Sequence, residues 1–205
     1  ISSQRNVMSH LIFNPFTRLV HVFNDSILLY KFFVFEPQRV DPFPLFFGSI
    51  VLQGILLGCI ATVLLDLWAW ANKTFLKLPA PNWGFVGRWI GHMKNGQFFH
   101  HPIASSPPIP GEHVIGWLFH YIIGAAYGVC YIGYLNVFAA EPSLMSAILM
   151  AWAFLLAPWL VMQPGLGMGV FSSKTPKPNL MRAVSTMAHT VFGVGLYLGA
   201  RLVSL

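Results

Sequence analysis

GEHVIGWLFHYIIG, residues 111–124, is apolar enough to enter a membrane, yet it carries a histidine, His120, near its centre. An imidazole needs hydrogen-bond partners, so this stretch fits a lipid-facing helix only if His120 turns away from lipid. The residues around it supply the direction. Gly116 precedes His120 by four positions, and Gly124 and Gly128 follow at the same step. Residues four apart share a helix face, and small residues at that spacing let two membrane helices approach closely. His120 therefore lies on a packing face and is expected to point into a helical bundle.

The whole chain favours lipid as its solvent. Of its 205 residues 56% are hydrophobic and 9% charged, with 18 Phe and 7 Trp; a soluble domain carries about 25% charged residues. The net charge of +6 is scattered beside apolar runs, as helix-end anchoring and anionic headgroups require. No nucleic-acid partner is expected. Cys59 and Cys130 fall inside apolar segments and read as small packing residues rather than a disulfide.

A span needs about 20 apolar residues, and four stretches qualify, at about 45–71, 114–139, 144–162 and 181–203. The predicted fold is all-α: an integral membrane four-helix bundle occupying 44–205, with a long His-rich loop between spans one and two. Residues 1–43 read as an N-terminal extension. Within it LVHVFNDSILLYKFFVFEP (19–37) is interrupted by Asn24, Asp25 and Lys31, and is read as an interfacial segment. Lys73, Lys77, Arg88, Lys94, Lys174 and Lys177 lie in the two long loops. The positive-inside rule places those loops in the cytoplasm.

Similar stripes run through the other spans: Gly54–Gly58 in the first, Gly165–Gly169 at the end of the third, and Gly195–Gly199 in the fourth. Extended by fours, Gly54, Gly58 and Thr62 lead to Asp66, and Ser185 leads to His189 and Gly193. The spans alternate in direction, so Asp66, Glu112, His113, His120, Gln163, Arg182 and His189 all belong to one end of the bundle. An intramembrane ionisable group is tolerable where it faces the bundle interior and marks a functional site by default. Asp66, Glu112, His120 and His189 are the candidate acid–base residues. Arg88, Gln163, Arg182 and Trp117 are the candidate substrate or lipid contacts.

The loop KLPAPNWGFVGRWIGHMKNGQFFHHPIASSPPIPGEH (77–113) holds four of the eight histidines. With its interspersed aromatics it is expected to pack on the membrane surface or fold back over the bundle mouth. His92, His100, His101, His120 and His189 are candidate ligands for a transition metal (zinc, iron or copper), with Asp66 and Glu112 as oxygen donors. No HxxxH or HExxH spacing supports that set, and a His in a span also serves as a hydrogen-bonded staple between helices. Haem ligation by His120 and His189 has no motif behind it.

ATVLLDLWAW (61–70), GRWIGHMKNGQFFHHPI (87–103), GEHVIGWLFHYIIGAAYG (111–128), MQPGLGMGVFSSKTPKPN (162–179) and HTVFGVGLYLGA (189–200) together resemble a family of bacterial integral membrane proteins catalogued as domain of unknown function 2938. The resemblance runs over about residues 45–204 and implies a small four-span protein of the bacterial inner membrane. It implies that residues matching Asp66, Arg88, His92, Glu112, His120, Gln163 and His189 recur, and that 1–43 is an extension. It assigns no activity. Three functions fit the sequence: an enzyme or metal-site protein acting on a lipid-soluble substrate, a small proton-coupled transporter working as a homodimer, or an accessory subunit of a larger membrane complex. Membrane lipids are the expected partners in each.

Overall fold

The structure, a computed structural model, describes residues 43–203. The interfacial segment expected at 19–37 and the N-terminal extension lie outside them. Four long helices carry the spans, and each is long and apolar enough to cross a membrane. Helix α1 covers Phe43–Ala71 and runs on through a π-helical turn at Asn72–Leu76. A shorter helix, α2, spans Trp83–Met93 in the long loop. Helices α3 (Glu112–Val137), α4 (Leu144–Ala157) and α5 (Pro178–Val203) complete the bundle.

Local chemistry sets the ends. The Asn82 side chain accepts from Gly84 N at 3.0 Å and caps α2. Beyond α2, Gly96 takes a φ of +75°, where glycine carries no steric penalty. Ser143 accepts from Ser146 N at 3.1 Å to start α4. Pro158 has no N–H to continue the α ladder, and the chain widens there into a π-helical turn over Pro158–Met162.

The glycine stripes place the helices. A Cβ on Gly58 would meet Gly124 O, and one on Gly128 would meet Gly54 O, so α1 and α3 touch backbone to backbone. Residue numbers run oppositely along this seam, which makes the pair antiparallel. Gly195 lies against Ala61 and Gly199 against Leu57, joining α5 to α1. Gly193 lies against Ala147 and Ile148, joining α5 to α4. Tyr127 stacks on Phe154 at 3.9 Å, joining α3 to α4. The order around the bundle is thus α3–α1–α5–α4, closed on itself around Leu57, Ala61, Tyr131, Ala147, Ala151 and Leu196. Leu52, Leu56, Leu67, Leu118, Leu149 and Leu156 face outward, as lipid contact requires. Cys59 and Cys130 are free thiols.

One stripe differs from expectation. Gly165 and Gly169 do not form a helix-packing face, because the helix ends in the short turn Gln163–Gly165 and Gly169 takes a φ of +73°. Gly165 instead receives the Trp89 indole, and the segment closes over a second apolar cluster of Val86, Trp89, Ile103 and Leu166.

Candidate functional site

The α1–α3 seam ends in a carboxylate and an imidazole. Close packing at Gly58 and Gly124 brings the next turns together, and His120 Nε2 lies 2.9 Å from Asp66 Oδ1. The Tyr121 hydroxyl donates to Asp66 Oδ2 at 2.9 Å. The Trp83 ring stacks on the His120 ring at 3.9 Å and 25°, and Trp117 meets it edge-on at 5.7 Å. With Asp66 ionised, its Oδ1 accepts from His120 Nε2–H. On the outer side His113, Val114, Trp117, Leu118 and Tyr121 line a shallow, open and almost wholly apolar depression of the helix surface.

Helix α2 runs back along the first turns of α3. A Cβ on Gly87 would meet Glu112 O, and one on Gly116 would meet Trp83 O. The approach sets Arg88 over Glu112, with Nε to Oε2 at 2.8 Å and Nη2 to Oε1 at 2.8 Å. Arg88 Nη1 donates to Ser106 O at 2.9 Å, and Ile109 N donates to Glu112 Oε2 at 3.2 Å. The bond to Glu112 raises the Arg88 pKa above its ordinary value. All three guanidinium nitrogens are engaged, so Arg88 braces the loop against α3.

Deeper in the loop, the rings of His92 and His100 lie 5.1 Å apart. The loop is tied to the end of the third span by His100 N to Gly165 O at 3.0 Å and Ile103 N to Leu166 O at 3.1 Å. Trp89 Nε1 donates to Phe98 O at 2.8 Å. Burial, followed by the neighbouring His92 and His101, lowers the His100 pKa and keeps the ring neutral. Gln163 is buried close to this loop, two residues before the Gly165 carbonyl that His100 holds.

The single convergent cluster expected from the sequence divides into separate groups. Asp66 meets His120, Arg88 meets Glu112, and His92 meets His100. His189 joins none of them: its Nδ1–H donates to Ser185 O at 2.9 Å within α5. The reason is angular, since the Ser185–His189–Gly193 stripe faces α4, whereas the α1-facing stripe is Gly195–Gly199. His101 is exposed. Among the described residues no three His, Cys, Asp or Glu side chains assemble to hold a metal ion. The set expected from His92, His100, His101, His120 and His189 is therefore not formed. Arg182 donates from Nε to Phe171 O at 2.8 Å and from Nη1 to Asn179 Oδ1 at 3.0 Å, and so secures the turn before α5.

Sequence reasoning missed Tyr121 and Trp83. Tyr121 follows His120 directly and sits about 100° around the helix, off the stripe. Trp83 reaches His120 only through the docking of α2. The one legible signal was an aromatic at the head of a capped helix.

No curated protein and no solved structure matches the chain significantly. The family model described as "Protein of unknown function (DUF2938)" matches residues 55–203, covering α2, α3, α4, α5 and most of α1. The chain belongs to this uncharacterised family.

Proposed function

We propose that the protein is a multi-pass membrane enzyme in which Asp66 and His120 perform acid–base chemistry on a lipid-soluble substrate. The observation that carries the reading is the 2.9 Å contact between His120 Nε2 and Asp66 Oδ1, formed between two spanning helices beside an open apolar surface. Asp66 orients the ring and fixes its proton on Nε2, while Nδ1 exchanges a proton with the substrate. Trp83 and Trp117 hold the imidazole on one face and one edge and keep water from it. The substrate's apolar part lies along Val114, Trp117 and Leu118. Arg88 and Glu112 brace the loop that carries Trp83. The lysines and arginines of the long loops support a cytoplasmic orientation for this end of the bundle, in a bacterial inner membrane.

The test uses the purified full chain in liposomes made from bacterial membrane lipid extract, with lipid composition followed by mass spectrometry. Wild type is expected to consume one lipid-soluble component while His120→Gln leaves it intact. An unchanged composition with wild-type protein would overturn the reading.

A second reading, a proton-coupled transporter working as a dimer, draws support from the broken end of the third span. There the π-helical turn at Pro158–Met162 leads into the irregular Leu166–Gly169. Proton flux into liposomes loaded with a pH-sensitive dye, with lipids unchanged, would select it.

A further inference from the structure

The junction of α2, the 97–106 loop and the break after α4 holds hydrogen-bonding capacity that the described residues do not fill. His92 Nδ1, His100 Nε2, Gln163 Oε1 and Ser172 Oγ are all buried without a hydrogen-bond partner. Their residues are 8%, 2%, 6% and 0% exposed, respectively. Burying a polar group without a partner is strongly unfavourable, and native proteins keep such groups few. Here four fall in one junction, apart from the Asp66–His120 pair.

The four belong together through the backbone. The His92 and His100 rings are 5.1 Å apart. His100 N donates to Gly165 O at 3.0 Å, which puts it beside the turn that begins at Gln163. The Val170–Ser172 turn packs on the same 158–165 segment. Phe171 and Ser172 take left-handed φ values of +51° and +57°. Such values are unfavourable for side-chain-bearing residues and concentrate at functional sites. This strained pair delivers Ser172 Oγ to full burial, where no other described group uses it.

The polarity of the atoms defines what fits. Gln97 Nε2, which has only hydrogens to give, lies 3.4 Å from His100 Nδ1, and Ser106 Oγ lies 2.7 Å from it. With Gln97 as the donor, His100 Nδ1 accepts, and in that tautomer of the neutral ring Nε2–H is a donor. Gln163 Oε1 is an acceptor, and Ser172 Oγ serves as either. A cation would face the His100 N–H, and an anion would face the Gln163 carbonyl oxygen. A neutral group that both gives and takes a hydrogen bond satisfies both.

We propose that this junction is a second binding site, holding a neutral hydroxyl guest that accepts from His100 Nε2–H, donates to Gln163 Oε1 and is shared with Ser172 Oγ. Water and the hydroxyl of a glycerol-type lipid headgroup share this chemistry.

The test compares thermal unfolding midpoints of the full chain in detergent for wild type, Gln163→Met, Ser172→Ala and the double variant. A shared guest predicts that each single change lowers the midpoint by about 2–8 °C, with the double loss smaller than the sum. Midpoints that stay or rise in the single variants, as dry orphaned groups would give, overturn the proposal, as does strict additivity. Where a variant fails to fold, ¹⁵N NMR of the wild type decides. A hydrogen-bonded, exchange-protected His100 Nε2–H resonance supports the guest, and a free N–H signal refutes it. Mass spectrometry of an organic extract then separates the sources: a stoichiometric hydroxyl lipid that is lost in Gln163→Met identifies a headgroup, and coupled losses without one identify water.

Discussion

Arg88 grips both carboxylate oxygens of Glu112, through Nε at 2.8 Å and Nη2 at 2.8 Å, with side chains only 10% and 14% exposed. This fork ties the middle of α2, where Arg88 sits, to the start of α3, which Glu112 opens. The guanidinium also holds Ser106 O, so one side chain fixes three points of the connection. Removing one member of such a buried pair leaves the other charge uncompensated and costs about 3–5 kcal/mol. Arg88→Met and Glu112→Gln are each expected to lose stability on that scale in thermal unfolding of the detergent-solubilised chain. The double variant is expected to lose less than the sum of the two. A wild-type midpoint in either single variant would show that the loop does not depend on the fork.

The α1–α3 contact predicts a contrast between two glycines. A Cβ at Gly58 meets Gly124 O and lies 2.7 Å from Ala125 Cα, whereas at Gly133 it meets nothing within 4 Å. Gly58→Ala is expected to push the helices apart and destabilise by about 1–3 kcal/mol. Gly133→Ala is expected to be neutral or to stabilise by about 0.5–1 kcal/mol, because alanine restricts the unfolded chain. The unfolding midpoints of the two variants check both signs.

The bundle was legible because its signals are periodic. Gly54, Gly58, Gly124 and Gly128 stand at helical spacing, and continuing those stripes led to the Asp66–His120 contact. The same extension misplaced His189, since α5 carries two glycine faces that point to different neighbours, and the histidine lies on the one against α4. The loop was legible only in composition. Its fold hangs on Gly87 against Gly116, Trp89 against Gly165 and Asn82 as a cap, contacts between non-repeating positions that no periodicity announces. Tyr121 and Trp83 escaped notice for the same reason. The break at Gln163–Gly169 imitated a GxxxG stripe, and only Pro158 and Pro164 upstream of Gly169 signalled that the helix would end.

Acid is expected to loosen the loop through His100. Burial first, then His92 and His101, lowers its folded pKa below the ordinary 6.5, so the unfolded chain takes up a proton before the folded one. The contribution is fully present above pH 6.5 and declines as the pH falls from there through the folded pKa. Thermal midpoints of wild type measured from pH 8 to pH 5 are expected to fall more steeply than those of His100→Gln. Parallel curves would remove His100 from the account.

The Asp66–His120 pair admits a test that separates a helix staple from an acid–base site. Glutamine at position 120 retains a side-chain amide that can donate to Asp66, but it cannot accept and release a proton near neutral pH. If the imidazole only joins α1 to α3, His120→Gln preserves both the unfolding midpoint and any lipid turnover. If it moves a proton, the midpoint holds to within about 1 kcal/mol of wild-type stability, while turnover falls by about 10²–10⁴-fold. Asp66→Asn adds a second arm, because it keeps the geometry at Oδ1 but removes the charge that stabilises the protonated ring. Its turnover is expected to fall on the same scale, and the double variant is expected to lose no more than either single change, as for residues acting as a unit. Turnover that survives both substitutions assigns the pair to helix association alone.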